Sequence, residues 1–348
     1  MFGRKTKVAI NGFGRIGRAF FRVAWNDPEI EIIAVNDIGE PENLAYLLRY
    51  DSVYKGFPHV MKLNEGTLVI GRKKVKLLSE REPLKLPWKE LDIDVVVEST
   101  GIFESYGKAH MHISAGAKKV VISAPVSDEP VGGVRGATVL MGINEEKLSS
   151  CDISSNASCT TNAGSPLLAI LDEKIGIEKA LLNTVHAYTA TQSLVDSPAG
   201  KKDMRRGRAA AQNIVPSGTG AALATTKALT SLSGKFDGIA IRVPVVAGSL
   251  VDVTFIAKRN TTAEEINLML EDAAEDLRWK GIFSVTREPL VSSDIVGNMH
   301  ASIADLSFTR VVGGNLVKVL AWYDNEMGYA GVLLKHVREM GMYARKEK

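Results

Sequence analysis

Gly12, Gly14 and Gly17 stand in the spacing Gly-x-Gly-x-x-Gly directly after the apolar run Lys7-Val-Ala-Ile10. No other stretch restricts the fold of this chain as much. The run reads as a short buried strand, and Phe20, Phe21 and Val23 continue the glycine loop as a helix. In such a turn the first glycine permits the tight bend. The second lets a pyrophosphate approach the backbone, and the third lets helix and strand pack closely. A second strand, residues 31–35, ends in Asn36-Asp37, at about the 20-residue offset at which an acidic residue meets an adenosine ribose. A carboxylate there accepts hydrogen bonds from the ribose hydroxyls and repels a 2′-phosphate, which points to NAD over NADP.

The pattern then alternates between element types. Residues 41–50 read as a helix, and 60–78 as an antiparallel ribbon of two alternating runs turning at Asn64-Glu65-Gly66 and Gly71-Arg72. The apolar run 94–98 ends in Ser99-Thr100-Gly101, as a central parallel strand with a ligand-facing end does. A crossover helix at 105–116 and a strand at 119–125 follow. This cadence predicts an α/β chain that begins with a Rossmann-type doubly wound parallel sheet. At 348 residues the chain is long for one core, so two domains are expected, with a tight boundary near Cys159. The second half reads as strands at 180–188, 238–243, 250–258, 302–308 and 315–322, with an amphipathic helix at 262–280 and a helical tail at 329–342. Consecutive antiparallel-looking strands with flanking helices predict an α+β catalytic domain built on a mainly antiparallel sheet.

Ser155-Asn-Ala-Ser-Cys159-Thr-Thr-Asn162 brings a cysteine to the point where a strand ends and a helix begins. Thr161 or Asn162 is expected to cap that helix, with Pro166 in its first turn. A thiol at a helix N-terminus meets the positive end of the macrodipole, which favours the nucleophilic thiolate. A lone cysteine is ordinarily a small buried hydrophobe, but hydroxyls at Ser158, Thr160 and Thr161 surround this one. Those hydroxyls and the free N–H groups suit an oxyanion or a phosphate. His186, on a later strand, completes a Cys/His pair in which the thiol attacks an aldehyde and the imidazole acts as base. Cys151 and Cys159, eight positions apart, and the scattered histidines match no zinc spacing. No metal is expected.

Two cysteines exclude a disulfide framework and favour a reducing compartment. No apolar run reaches the length of a membrane span, and the amino terminus passes straight into a strand pattern, so a cytoplasmic protein is expected. The net charge of +3 is too small to make nucleic acid the main partner. The basic stretch Lys201-Lys202 with Arg205-Arg206-Gly207-Arg208 is the only support for an RNA-binding role. Its place between His186 and Pro216-Ser-Gly-Thr-Gly220 suits an anion-facing loop instead.

Taken together, these residues resemble the phosphorylating glyceraldehyde-3-phosphate dehydrogenase family nearly from end to end. The matching pieces are Ile10-Asn-Gly-Phe-Gly-Arg-Ile-Gly-Arg18, Val35-Asn-Asp37, Glu98-Ser-Thr-Gly101, Ser123-Ala-Pro125 and the cysteine octapeptide. Thr184-Val-His-Ala-Tyr-Thr189, Ile241-Arg-Val-Pro244 and Trp322-Tyr-Asp-Asn-Glu326 continue the match. The resemblance implies oxidation of glyceraldehyde 3-phosphate to 1,3-bisphosphoglycerate through a thiohemiacetal and a thioester on Cys159, with NAD reduced and His186 as base. It implies that Thr189, Thr191 and Arg242 hold the substrate's phosphate, and that Ser158, Thr160, Thr219, Gly220 and Arg206 receive inorganic phosphate. Arg15 and Ile16 would lie beside the NAD pyrophosphate, Thr100 and Ser123 along the cofactor, and Asn325 at the nicotinamide carboxamide. It further implies a homotetramer, an NAD-binding domain at 1–158 rejoined by the helix 325–348, and a catalytic domain at 159–324. Ala163 stands where many members carry a second cysteine. Gly39 and Ser197 occupy positions that bear on coenzyme choice and leave the strictness for NAD over NADP open. Erythrose-4-phosphate dehydrogenase shares the fold and the thiol chemistry and is the alternative, with Thr189-Ala-Thr-Gln192 favouring the first reading.

Overall fold

The computed structural model describes residues 4–199 and 203–346, so Lys201 and Lys202 of the basic stretch lie outside the described residues. The chain divides into two compact units, one of residues 1–157 and 333–348, the other of residues 158–332.

The first unit is built on β1 (Thr6–Asn11), α1 (Arg15–Ala24), β2 (Ile30–Asn36), α2 (Pro41–Arg49), β3 (Met61–Asn64), β4 (Thr67–Ile70) and β5 (Lys73–Leu78). It continues with β6 (Val95–Glu98), α3 (Tyr106–Ser114), β7 (Lys119–Ile122), β8 (Gly136–Thr138) and β9 (Ile153–Ser155). These nine strands form one sheet in the order β3-β4-β5-β2-β1-β6-β7-β9-β8. Every neighbouring pair is parallel except β3–β4 and β4–β5. Val8, Ala9 and Ile10 of β1 and Val95, Val96 and Val97 of β6 are sealed from solvent, as strands covered on both faces must be. The strand order reverses at β1, which lies between β2 and β6. The glycine loop therefore leaves the sheet at its topological switch point, where such sheets bind ligands.

The ribbon expected at 60–78 is three strands rather than two. Its first turn, Glu65-Gly66, has both residues at positive φ (44° and 71°), and Gly71 bends the second at 59°. A two-residue turn with both φ values positive matches the twist of its flanking strands, which is why it can be so short.

The second unit holds α4 (Cys159–Lys174), β10 (Ile177–Ala187), β11 (Val215–Gly218), α5 (Ala221–Ala228), β12 (Phe236–Val243) and β13 (Ser249–Ala257). It continues with α6 (Ala263–Glu275), β14 (Phe283–Thr286), β15 (Ser302–Val312) and β16 (Leu316–Tyr323). Its seven strands run in the order β11-β12-β10-β13-β16-β15-β14, and all neighbours are antiparallel save β10–β12 and β14–β15. The last helix, α7 (Met327–Lys346), crosses the division between the units. The short elements β8, β11, α5 and β14 carry too few residues to show a period, so the sequence pattern does not announce them.

Strand alternation sorts the second sheet into two faces. Ala180, Leu182, Thr184 and His186 of β10 point to the buried face, with Val251, Val253 and Phe255 of β13 and Val317, Val319, Ala321 and Tyr323 of β16. Leu181 and Ile239 point the other way and are more than half exposed.

Candidate active site

The glycine loop behaves as its spacing requires. Gly12 has φ +93°, and a Cβ there would stand 2.6 Å from the Ser99 carbonyl carbon. A Cβ on Gly17 would overlap the Gly12 carbonyl oxygen. Gly14, the N-cap of α1, has open space where its Cβ would be, so what it leaves room for is not protein. Asp37 holds the loop in shape: Phe13 N donates to its Oδ2 at 2.6 Å and Gly39 N to its Oδ1 at 2.9 Å. Each carboxylate oxygen keeps a second lone pair for a further donor. Beside it lies a cavity of about 460 Å³, lined among others by Gly12, Gly14, Asp37, Ser99, Thr100 and Phe103.

Thr100 and Ser123 are set by Glu98. The Thr100 N–H donates to Glu98 Oε1 at 2.8 Å, and the Ser123 hydroxyl donates to the Glu98 carbonyl at 2.9 Å. The buried Glu98 carboxylate also accepts from Asn11 Nδ2 at 2.6 Å and from His112 Nε2 at 3.0 Å. Trp88 Nε1 donates to His112 Nδ1 at 3.0 Å, which fixes the tautomer with its proton on Nε2. Glu98 stands in one of the matching segments, but its buried partner His112, and Trp88 behind it, lie outside them, and nothing in the sequence near either residue marks it. Arg15 donates to Asp51 Oδ2 at 2.6 Å, and Ile16 follows it in the first turn of α1.

The cysteine helix begins earlier than its sequence suggests. Ser158, not Thr161 or Asn162, is the N-cap: it has extended backbone, and its Oγ accepts from Thr161 N at 3.1 Å. Cys159 is therefore the first helical residue, at the end of the helix where backbone N–H groups have no carbonyl one turn back and the dipole is positive. Pro166 falls inside the helix rather than in its first turn, where a proline has no N–H to give the helix ladder.

Cys159 Sγ lies 3.3 Å from His186 Nε2. On its other side His186 Nδ1 lies 2.6 Å from the Ala187 carbonyl oxygen. A carbonyl only accepts, so Nδ1 carries the proton and Nε2 is left as an acceptor for the thiol. Arg242 pairs with His186 in the register of β10 and β12; its Nη1 lies 3.2 Å from His186 Nδ1 and 3.4 Å from the Ala187 carbonyl. Of the two it donates to the carbonyl, because the much shorter 2.6 Å contact already commits the Nδ1 proton there. Burial, then the Arg242 charge, pushes His186 down to about 3. Burial also pushes the Cys159 thiol up, while Arg242 and hydrogen bonds at Thr160 pull it back. Both shifts favour a neutral pair at pH 7, a thiol donating to an imidazole.

Tyr323 braces the pair from the buried face. Its hydroxyl bridges Thr160 Oγ1 at 3.0 Å and Thr184 Oγ1 at 2.8 Å, and its ring meets His186 edge-on at 5.9 Å. Ser249 Oγ accepts from Ala187 N at 3.1 Å and donates to Asn325 Oδ1 at 3.0 Å. The Asn325 amide nitrogen is thereby turned to donate elsewhere. Neither Tyr323 nor Ser249 was expected as a site residue, although Tyr323 sits within a matching segment.

The hydroxyls expected to receive anions fall into separate groups. Thr189 Oγ1 and Thr191 Oγ1 are 2.9 Å apart, and Arg206 Nη1 donates to Thr191 Oγ1 at 3.2 Å. Arg206 thus joins the Thr189–Thr191 pair, beside a cavity of about 670 Å³ that Gln192, Arg205 and Gly218 also line. Thr219 Oγ1 accepts from Ala221 N at 3.1 Å at the start of α5, whose N-cap is Gly220. The Ser158 hydroxyl is engaged in its cap, and that of Thr160 with Tyr323.

The neutral histidines predict acid lability. His186 and the fully buried His336 are both pushed down to about 3, His336 by burial alone. As pH falls below the ordinary histidine value of ~6.5, the unfolded chain takes up these protons and the folded chain does not. Stability is therefore present above that value and falls with pH, down to about 3. One proton per unit corresponds to a slope of roughly 1.4 kcal/mol per pH unit for each unit's unfolding. Urea titrations at pH 7, 6 and 5 measure it, and a flat midpoint across that range contradicts the neutral assignment.

Compared with known families, residues 6–106 match the family described as glyceraldehyde 3-phosphate dehydrogenase, NAD binding domain, and residues 158–325 match its C-terminal domain. A glyceraldehyde-3-phosphate dehydrogenase of Streptomyces coelicolor is 47% identical over 331 residues, 94% of this chain and 96% of its own length. That of Thermotoga maritima is 47% identical over 327 residues, 93% of this chain and 96% of its own. Glyceraldehyde-3-phosphate dehydrogenase B of Aspergillus oryzae is 45% identical over 325 residues, 93% and 95% of the two chains. Among the described residues no helix is long and apolar enough to cross a membrane. With a doubly wound sheet that opens on a glycine loop, and a Cys/His pair formed between a helix start and a strand of a mainly antiparallel sheet, this chain belongs to the glyceraldehyde-3-phosphate dehydrogenase family and is an NAD-dependent oxidoreductase.

Proposed function

We propose that the chain catalyses the reversible phosphorylating oxidation of glyceraldehyde 3-phosphate to 1,3-bisphosphoglycerate. The observation that carries this reading is the 3.3 Å approach of Cys159 Sγ to an unprotonated His186 Nε2. As sulfur attacks the aldehyde carbon, its proton passes to Nε2, so thiolate character develops only when the new bond forms. The developing alkoxide of the thiohemiacetal meets N–H groups at the first turn of α4. NAD held at Gly12, Gly14 and Asp37 would supply the acceptor for the hydride that this carbon loses. A thioester then remains on Cys159. Inorganic phosphate attacks its carbonyl carbon, the C–S bond breaks, the departing sulfur takes back the proton held on His186 Nε2, and the acyl phosphate departs.

The N-terminal unit fits NAD through the room left at Gly14 and the carboxylate of Asp37 beside the cavity. In this reading Gly12, Gly14, Arg15, Ile16, Gly17, Asp37, Thr100, Ser123 and Asn325 serve the cofactor. Thr189, Thr191 and Arg242 hold the substrate's phosphate, while Ser158, Thr160, Thr219 and Gly220 receive the attacking one. Arg206, bonded to Thr191, stands on the border of the two sets. The first unit serves as the NAD-binding domain and the second as the catalytic domain. A homotetramer working in the cytoplasm belongs to the same reading, and the exposed Leu181 and Ile239 on the outer sheet face support self-association.

Initial rates with glyceraldehyde 3-phosphate test the proposal, taken with NAD or NADP and with or without phosphate. The expected result is phosphate-dependent NADH formation that exceeds NADPH formation. Reduction with erythrose 4-phosphate alone would transfer the reading to that sugar.

A further inference from the structure

His336 of α7 is sealed from solvent and meets the end of β9 with both ring nitrogens. Its Nε2 lies 2.7 Å from Ser154 Oγ and its Nδ1 lies 3.0 Å from Asn156 Oδ1. The amide oxygen only accepts, so Nδ1 carries the proton and the Ser154 hydroxyl donates to Nε2. Ser154 and Asn156 are themselves fully buried.

The segment this ring holds is strained. Ala157 has φ +54°, a left-handed conformation that residues other than glycine rarely adopt. Such a conformation persists only where its surroundings over-determine it. Here they do. Asn156 N donates to the Ile122 carbonyl at 3.0 Å, and Ala157 N donates to Ser155 Oγ at 3.1 Å. Ser155 Oγ in turn donates to the Ala124 carbonyl at 2.7 Å. Those bonds fix the backbone leading up to the strained residue, and the His336 ring fixes the side chains of Ser154 and Asn156. Cys159 follows Ala157 by two residues, and its own backbone begins α4.

We propose that His336 is a positioning residue for the catalytic thiol: by clamping Ser154 and Asn156 it holds the left-handed turn at Ala157 from which the chain delivers Cys159. The proposal rests on the reading of Cys159 as the nucleophile. A displacement of about 1 Å in a reacting group lowers a rate severely, so a turn held from a distant helix is felt in catalysis as well as in folding.

The test compares His336→Leu, which keeps the volume and removes both hydrogen bonds, with His336→Asn, whose amide nitrogen replaces Nδ1 toward Asn156. Three quantities are read: kcat, the rate of Cys159 alkylation by iodoacetamide as a function of pH, and the affinity for NAD. The expected result is that His336→Leu lowers kcat and the alkylation rate about tenfold each and leaves NAD affinity unchanged. His336→Asn is expected to restore both rates to within about threefold of the parent. A folded His336→Leu protein with the parent's kcat and alkylation profile overturns the proposal. If His336→Leu does not fold, Ser154→Ala removes the bond at the other ring nitrogen, and an unchanged alkylation profile in that variant overturns it equally. Alkylation reads the thiol directly, so an enzyme inactive toward glyceraldehyde 3-phosphate would refute the proposed function and leave this comparison standing.

Discussion

Replacing His186 by asparagine is expected to lower kcat about 10²–10⁴-fold, the range that a positioned general base contributes. The substitution is chosen for what it keeps. An asparagine amide nitrogen takes the place of Nδ1 and still donates to the Ala187 carbonyl, so the strand end is undisturbed. What disappears is Nε2, the atom 3.3 Å from the Cys159 sulfur. Because the thiol is pushed up by burial rather than already ionised, the enzyme depends on an acceptor at the moment of attack. The KM for the aldehyde should change far less than kcat, since the imidazole meets the thiol and not the anionic groups of the substrate. Steady-state kinetics on the purified variant measure this. A loss smaller than about tenfold would mean that another group takes the proton.

The second large effect comes from the glycine loop, where two neighbouring glycines answer to different demands. Gly14→Ala adds a methyl group into space that holds no protein atom, at a residue whose φ of −67° suits alanine. Its effect on stability should stay below about 1 kcal/mol, the scale of an N-cap change. The affinity for NAD should nonetheless fall more than about tenfold, because the added carbon lies where the pyrophosphate must approach the backbone. Gly17→Ala forces a methyl group onto the Gly12 carbonyl, and there the helix must move away from the strand. That variant should lose about 1–3 kcal/mol of stability, the usual cost of overpacking, before binding is considered. Thermal unfolding with and without NAD separates the two. A Gly14→Ala protein that binds NAD like the parent would remove the loop from the cofactor site.

The features most legible in the sequence are those whose causes lie close together in the chain. Three glycines in a fixed spacing announce a strand, a turn and a helix because each is tied to a local geometric demand, and Asp37 joins them across one strand. The apolar runs at 94–98 and 119–125 declare buried parallel strands for the same reason. Local cues also misled at one point. Between Ser158 and Asn162 every residue except Cys159 can cap a helix, and the side-chain bond from Ser158 to Thr161 N decides among them. Pro166 reinforced the wrong choice, since proline at a helix start is ordinary and proline in an interior is not.

The remaining site residues depend on distant pairings. Tyr323 reaches Thr160 across 163 positions of sequence, and His336 reaches Asn156 across 180. A tyrosine or histidine at the end of such a pairing looks like any other apolar-face residue until the sheet and the last helix are in place. The hydroxyls proposed to bind anions depend on distant placement in the same way. Arg206 could be assigned to a set by resemblance, but its bond to Thr191 follows from the fold of the loop after β10.

In the proposed reaction, oxidation passes through a thioester on Cys159 that phosphate then cleaves. A single-turnover experiment without phosphate tests it most directly. Enzyme mixed with glyceraldehyde 3-phosphate and excess NAD should give a burst of NADH equal to the number of Cys159 thiols, followed by near arrest. Adding phosphate should restore steady turnover, and Cys159→Ser should show neither phase. A steady rate that ignores phosphate, or NADH formation that survives loss of the thiol, would contradict the account.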